Sequence, residues 1–321
     1  MAYFGIAYVG AFSEQLKRGP CMRAKLGNKL AFRWRVHQLH RKPLAYYTQR
    51  LKAVPRVACP DRVVVTFTTI PERIGQIEVM LKSLLDQSVL PDSICLCIPR
   101  TSRLAPYKYS IPSWFSQIPL LKIVECEYDL GPVTKFIPTW EQEKNEPDTR
   151  LIIVDDDGVY PYRLIEQLVR WSQRMPDAAL GCSGVAVPAG MKPSSILFNR
   201  ETWMQDLRYT SFSSDALTRV NYLFGYAGVL VKPRFFDSAV ADYSAAPKQA
   251  FFEDDVWLGG HMARRGVERW VIPALGDRLM PGASRRTLDT RALCLTDNQD
   301  GFNSDHTFDY LFGPLLRHGD S

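Results

Sequence analysis

The sequence predicts an α/β fold: a mostly parallel, doubly wound sheet flanked by helices, followed by a smaller mixed region. Apolar β-branched runs alternate with helical patterns from residue 62 to residue 174, the order expected when helices form the crossovers between parallel strands. The chain has 321 residues, 46% hydrophobic and 23% charged, enough for one large core or two modest ones. No repeat or low-complexity segment interrupts it.

The elements follow in order. RVVVTFTTIPER (62–73) reads as a buried strand closed by a turn at Thr68, Thr69 and Pro71,. The next stretch places Ile74, Ile77, Met80, Leu81, Leu84 and Leu85 on one helical face,. PDSICLCIPR (91–100) is a second strand bounded by prolines, LLKIVECEYD (120–129) a third, GPVTKFIPTWEQE (131–143) a short helix and RLIIV (150–154) a fourth strand,. A helix then begins with Pro161 in its first turn, where a missing N–H costs nothing. Beyond residue 175 come a glycine-punctuated strand, a short helix begun by Pro233, a helix opening at FFEDD and the strand RWVIPA. From about residue 275 no element is assigned. These boundaries divide the chain into a basic extension (1–60), a catalytic-type domain (61–274) and a loop-rich tail (275–321).

Charge is unevenly spread. Residues 1–60 hold twelve Lys and Arg against one acid, Glu14, whereas the rest holds 28 basic and 33 acidic residues. The opening MAYFGIAYVGAF is too short to span a bilayer and has the wrong flanks for a signal peptide. Phe4, Tyr8 and Phe12 would line one side of a helix ahead of the cations. Two readings stay open: a segment lying on an anionic membrane surface, or a helix packed on the body with a solvated basic extension. Nucleic acid is not an expected partner, because the basic stretch belongs to no recognisable binding module. Seven cysteines without a C-x-x-C pair read as free thiols of a reducing, cytoplasmic compartment rather than a disulfide frame or zinc site.

Chemistry concentrates in two acidic clusters. Asp155, Asp156 and Asp157 follow the fourth strand, and ligands of such sheets bind at the carboxyl ends of strands. In an extended segment Asp155 and Asp157 point the same way and Asp156 the other. Two crowded carboxylates suit Mn²⁺ or Mg²⁺, ions that keep room for substrate phosphates; the bland alternative is a turn that caps the next helix. In FFEDDVWLGGHM, Glu253, Asp254 and Asp255 precede an apolar helical pattern, so a carboxylate there is stabilised by the helix dipole and suited to general-base work.

The order VVVTFTTIPER, LKSLLDQSVLPDSICLCIP, DLGPVTK, LIIVDDDGVYP, GYAGVLV, FFEDDVWLGGHMARRG resembles the family 2-like nucleotide-sugar glycosyltransferases of the GT-A fold. The resemblance covers about residues 60–273 and departs from the familiar pattern at GPVTK. It implies a nucleoside-diphosphate sugar donor, UDP-sugar first among them, and a glycan or glycolipid acceptor. Thr68, Thr69, Pro71, Glu72 and Arg73 would lie at the donor base and ribose, with Lys135 and Asp156 near the donor. Asp155 and Asp157 would hold the metal, and His306 in the tail would supply a third ligand. Helix register favours Asp255 as the base with Asp254 before it, while direct matching of the letters ED favours Asp254. Trp257 and Tyr226 would meet the acceptor. Two rivals remain: VDDDGV also fits the start of a haloacid-dehalogenase-like phosphohydrolase, and a GT-A-like module could bind without turnover.

Overall fold

The computed structural model describes residues 32–103, 108–197, 216–273, 282–283 and 302–317. The chain lays down β1 (Val63–Thr68), β2 (Ser93–Pro99), β3 (Leu121–Cys126), β4 (Arg150–Ile153), β5 (Gly158–Val159) and β6 (Ala178–Gly181). There follow β7 (Gly184–Val185), β8 (Thr218–Arg219), β9 (Tyr222–Leu223), β10 (Val229–Val231), β11 (Glu268–Val271) and β12 (Gly282–Ala283). Eight of them form one mixed sheet in the order β3-β2-β1-β4-β10-β6-β11-β8.

The topology creates the site before any side chain is considered. β1 runs parallel to both β2 and β4, and β2 parallel to β3. The chain therefore moves outward from β1 to β3 and then crosses back to place β4 on the other side of β1. Such a reversal opens a crevice between the carboxyl ends of the two central strands, here at Thr68 and Val154. β10 enters antiparallel between β4 and β6, and β11 returns parallel to β6, so the half beyond β4 is mixed.

Side chains alternate across the pleat. Val63, Val65 and Phe67 join one core, with Leu81, Leu84, Leu164 and Leu168 from the helices Glu78–Leu85 and Leu164–Arg174. Val64 faces the other core, with Phe136, Trp140, Val256, Trp257, Phe308 and Leu311. The sheet is thus buried on both faces, as a doubly wound arrangement requires.

Four expectations are corrected. Pro161 does not open the fourth-strand crossover helix; that helix starts at Leu164, whose N–H donates to the Pro161 carbonyl at 3.2 Å. GPVTK is a 3₁₀ turn (Gly131–Lys135) ahead of the helix Ile137–Glu143, with Gly131 at φ 69, outside the α region,. The tail contains the helix Phe302–Arg317, hidden from a sequence reading by Gly313 and the internal Pro314,. The basic stretch is no separate extension over its last part: a helix at 32–41 and the helix Leu44–Arg50 bury Leu39, Leu44 and Tyr47 in the first core.

Cys59, Cys95, Cys97, Cys126 and Cys182 are free thiols, and burial pushes Cys97 up to about 12. Cys21, Cys294 and the Phe4, Tyr8, Phe12 pattern lie outside the described residues. Among the described residues no helix is long and apolar enough to cross a membrane.

Candidate functional site

The acidic run leaves β4 and turns at once, and its three carboxylates go to three different environments. Asp156 is buried at the crevice: Thr69 Oγ1 donates to its Oδ2 at 2.5 Å, and Arg73 Nη2 lies 3.1 Å from Oδ1. Arg73 Nη1 also stands 4.0 Å from Asp157 Oδ2. Asp155 and Asp157 remain partly exposed. Below them Tyr160 clasps the run: the Asp155 N–H donates to its hydroxyl at 2.7 Å, and that hydroxyl donates to the Asp155 carbonyl at 3.1 Å.

Burial, and then the neighbouring charges of Asp155 and Asp156, push the Asp157 carboxyl up to about 7 although Arg73 opposes them. The three carboxylates of the loop crowd one another beside Arg73 and Lys135. Two partly exposed carboxylates in such a field fit Mn²⁺ or Mg²⁺, which take one or two protein carboxylates and complete their shell with phosphate and water. A protein cage is not formed: among the described residues no three His, Cys, Asp or Glu side chains gather as metal ligands. His306 in particular is exposed on the terminal helix and does not join Asp155 and Asp157.

The second cluster arrives from the far side of the sheet. Asp254 and Asp255 open the helix Asp254–Arg264. Lys135, only 4% exposed, reaches both clusters, with Nζ 2.6 Å from Asp155 Oδ1 and 2.6 Å from Asp254 Oδ2. Burial alone would lower this lysine, but Asp155, Asp254 and Asp255 together raise it well above its ordinary value, so it stays an ammonium. Its backbone is fixed from β1, where Thr66 donates to the Lys135 carbonyl at 2.6 Å and lies 2.7 Å from the Thr139 hydroxyl.

Asp254 and Asp255 differ in access. Asp254 is buried in its pair with Lys135, whereas Asp255 is partly exposed and accepts the Gly225 N–H at 2.8 Å. Burial first, and then the charge of Asp254, raise the Asp255 carboxyl well above the usual range. A β-carbon on Gly225 would stand 2.9 Å from Lys135 Nζ and 3.3 Å from Asp255 Oδ1, so this glycine is what lets the β9–β10 turn sit against both. Tyr226 follows it, 39% exposed with its ring 5.5 Å from that of Phe224.

Several expected residues have other duties. Trp257 is 1% exposed, stacks on Tyr243 at 4.2 Å and donates its indole N–H to the Val240 carbonyl; it is core, closed to any acceptor. Thr68 donates to the Cys97 carbonyl at 2.7 Å, and Thr69 and Arg73 hold Asp156 rather than reaching into open space. Pro71 and Glu72 lie half-buried in the turn between them. Arg285 and Arg286, which in sequence read as a solvated loop pair or as a hold on the leaving diphosphate, lie outside the described residues. The roles of Thr66 and Gly225 carried no sequence signal beyond residue type, since each acts across a gap in the chain that only folding closes. The chain matches no family model and no curated protein.

Proposed function

We propose that the protein is a metal-dependent glycosyltransferase of the GT-A type, moving a sugar from a nucleoside-diphosphate donor to a hydroxyl of a glycan or glycolipid. The observation that carries this reading is the bridge Asp155–Lys135–Asp254, at 2.6 Å on either side. It draws an acidic loop suited to a cation and an acidic helix start suited to proton transfer into one crevice, at the place where this sheet topology binds ligands.

Asp155 and Asp157 would hold Mn²⁺ or Mg²⁺, which when bound neutralises the diphosphate that leaves. The chain's own residues do the rest. Asp255, raised in basicity and partly exposed, takes the acceptor hydroxyl proton as the acceptor oxygen bonds to the anomeric carbon and the bond to the donor phosphate breaks. A single displacement of that kind inverts the anomeric centre. Asp254 is the poorer base, because although burial raises its carboxyl against the pull of Lys135, it is enclosed in that ion pair and closed to an acceptor. Lys135 holds the two clusters together, and Tyr226 follows Gly225, whose N–H Asp255 accepts.

Isothermal titration with UDP, with Mn²⁺ and then with EDTA, tests the donor site. Cation-dependent binding that disappears in Asp157→Ala supports it, and turnover of UDP-sugars lost in Asp255→Asn supports transfer. Silence toward UDP, GDP and other nucleoside diphosphates with and without the cation rejects the reading. A phosphohydrolase would instead show phosphate release through Asp155, and a binding module would keep its ligand in Asp255→Asn without turnover.

A further inference from the structure

We infer that the two helices at 32–41 and Leu44–Arg50 form a docking face for an anionic lipid surface, independently of what the acidic crevice does. The first helix sorts its residues by side. Leu39 is 1% exposed, and Phe32 and Val36 pack on the first core. Arg35 turns inward with them: its Nε donates to the Tyr160 carbonyl at 2.8 Å and its Nη1 to Asp86 at 3.0 Å. Arg50 of the second helix takes the other oxygen of Asp86. One buried-side carboxylate thus pins both helices and fixes which side faces out.

The outer side pairs aromatic rings with cations. Trp34 is 64% exposed and Tyr46 39%, with the Trp34 ring 6.1 Å from His37 and the Lys42 ammonium 4.0 Å over the Tyr46 ring. Residues 32–60 include seven Lys and Arg and no Asp or Glu. Arg35 and Arg50 go to Asp86, and Arg56 to the Pro91 carbonyl. Among the described residues no carboxylate pairs with Arg33, Arg41, Lys42 or Lys52.

The occupant follows from charge and chemistry. Two exposed rings are too little apolar area for a protein partner of ordinary size, but amphipathic rings among cations are what the boundary of a membrane accepts. An acidic headgroup layer supplies the missing counter-charges. The upstream sequence adds Lys17, Arg18, Arg23, Lys25 and Lys29 against Glu14, while the chain after residue 60 is net acidic. That segregation would orient the body with its basic end toward the surface.

Flotation of the full chain with vesicles tests this. The protein should rise with phosphatidylcholine vesicles containing about 30% phosphatidylserine, stay behind with pure phosphatidylcholine, and be released at about 0.5 M salt. The triple variant Arg33→Gln/Arg41→Gln/Lys42→Gln should lose on the order of tenfold in vesicle binding, and Trp34→Ala should weaken binding while keeping its salt dependence. Circular dichroism checks that each variant is folded; all four positions lie on the outer side. Failure of the folded wild type to float, equal flotation on neutral vesicles, or unchanged flotation of the triple variant overturns the inference. Retention on single-stranded RNA without flotation overturns it in favour of a general polyanion site. None of these outcomes bears on UDP binding, so the two readings fail separately.

Discussion

Thr69 and Asp156 are joined at 2.5 Å, hydroxyl to carboxylate, across the crevice between the carboxyl ends of β1 and β4. The middle acid of the run is thereby a fastener of the site, while its neighbours remain available at the surface. With Arg73 on its other oxygen, Asp156 ties the turn after β1 to the acid loop.

Asp156→Ala should therefore behave as a stability mutant, costing about 3 kcal/mol because it strands the Arg73 guanidinium. Asp157→Ala should leave stability nearly unchanged or raise it, since it removes the burial cost and then the repulsion that push Asp157 up, yet abolish cation-dependent UDP binding. Urea unfolding and titration measure the two halves. Similar stability losses in both variants would contradict the division of labour.

Lys135 offers a double-mutant cycle. Lys135→Met leaves Asp155 and the buried Asp254 without their shared ammonium, and a loss of roughly 3–5 kcal/mol is expected. Adding Asp254→Asn should restore part of that loss, for a coupling of about 1–3 kcal/mol. Additive losses would mean that the bridge is no stabilising unit.

Two glycines near the bridge should respond differently to alanine. At Gly225 the new methyl meets the end of the Lys135 side chain at 2.9 Å, which can shift, so stability falls by about 1 kcal/mol while transfer falls steeply. At Gly131 it meets the Phe251 carbonyl at 2.5 Å with φ at +69, so the backbone itself must move. A loss of about 2–4 kcal/mol is expected from clash and left-handed strain together. Equal thermal shifts for the two variants would show that the Lys135 end is not free to yield.

Two buried groups on the helix Asp254–Arg264 and its cap set opposite pH trends. Burial, followed by the charges of Asp254 and Asp305 and against a Ser304 hydrogen bond, raises Glu253 from 4.5 to about 8. Its folded-state pKa is raised, so its contribution is intact below pH 4.5 and is lost as pH climbs through 8. Glu253→Gln should remove that loss and be more stable than wild type at pH 8 by roughly 3–5 kcal/mol. His261 goes the other way, lowered to about 4 by burial and then Arg264. Its contribution is intact above 6.5 and lost as pH falls through 4, and His261→Gln should flatten that limb. Unfolding free energies measured from pH 4 to 9 check both; a Glu253→Gln curve parallel to wild type above pH 6.5 would remove the first claim.

The strand and helix order was legible in the sequence because burial leaves a local trace. The runs at 63–68, 93–99 and 150–153 are strands for the same reason they read as strands, their β-branched and apolar side chains being buried, while the strand at 121–126 lies at the sheet edge and keeps mainly Val124 buried,. The terminal helix Phe302–Arg317 was not legible, since Gly313 and Pro314 break its local pattern and its stability comes from Phe308, Leu311 and Phe312 packing on the second core. The acidic clusters likewise announced themselves as clusters, and Asp155 and Asp157 are both partly exposed.

What the sequence by itself determined is which residue types stand at the strand ends and helix starts, because chain direction and periodicity are local properties. Tertiary structure alone decided who meets whom. It gave Asp156 to Thr69 and Arg73, buried Trp257 against Tyr243, parted His306 from the aspartates and set Lys135 between Asp155 and Asp254. The charged pairings among these join residues distant in the chain, and only the return of β4 beside β1 and the docking of the helix at 254 bring their charges close enough for Coulomb energy to matter.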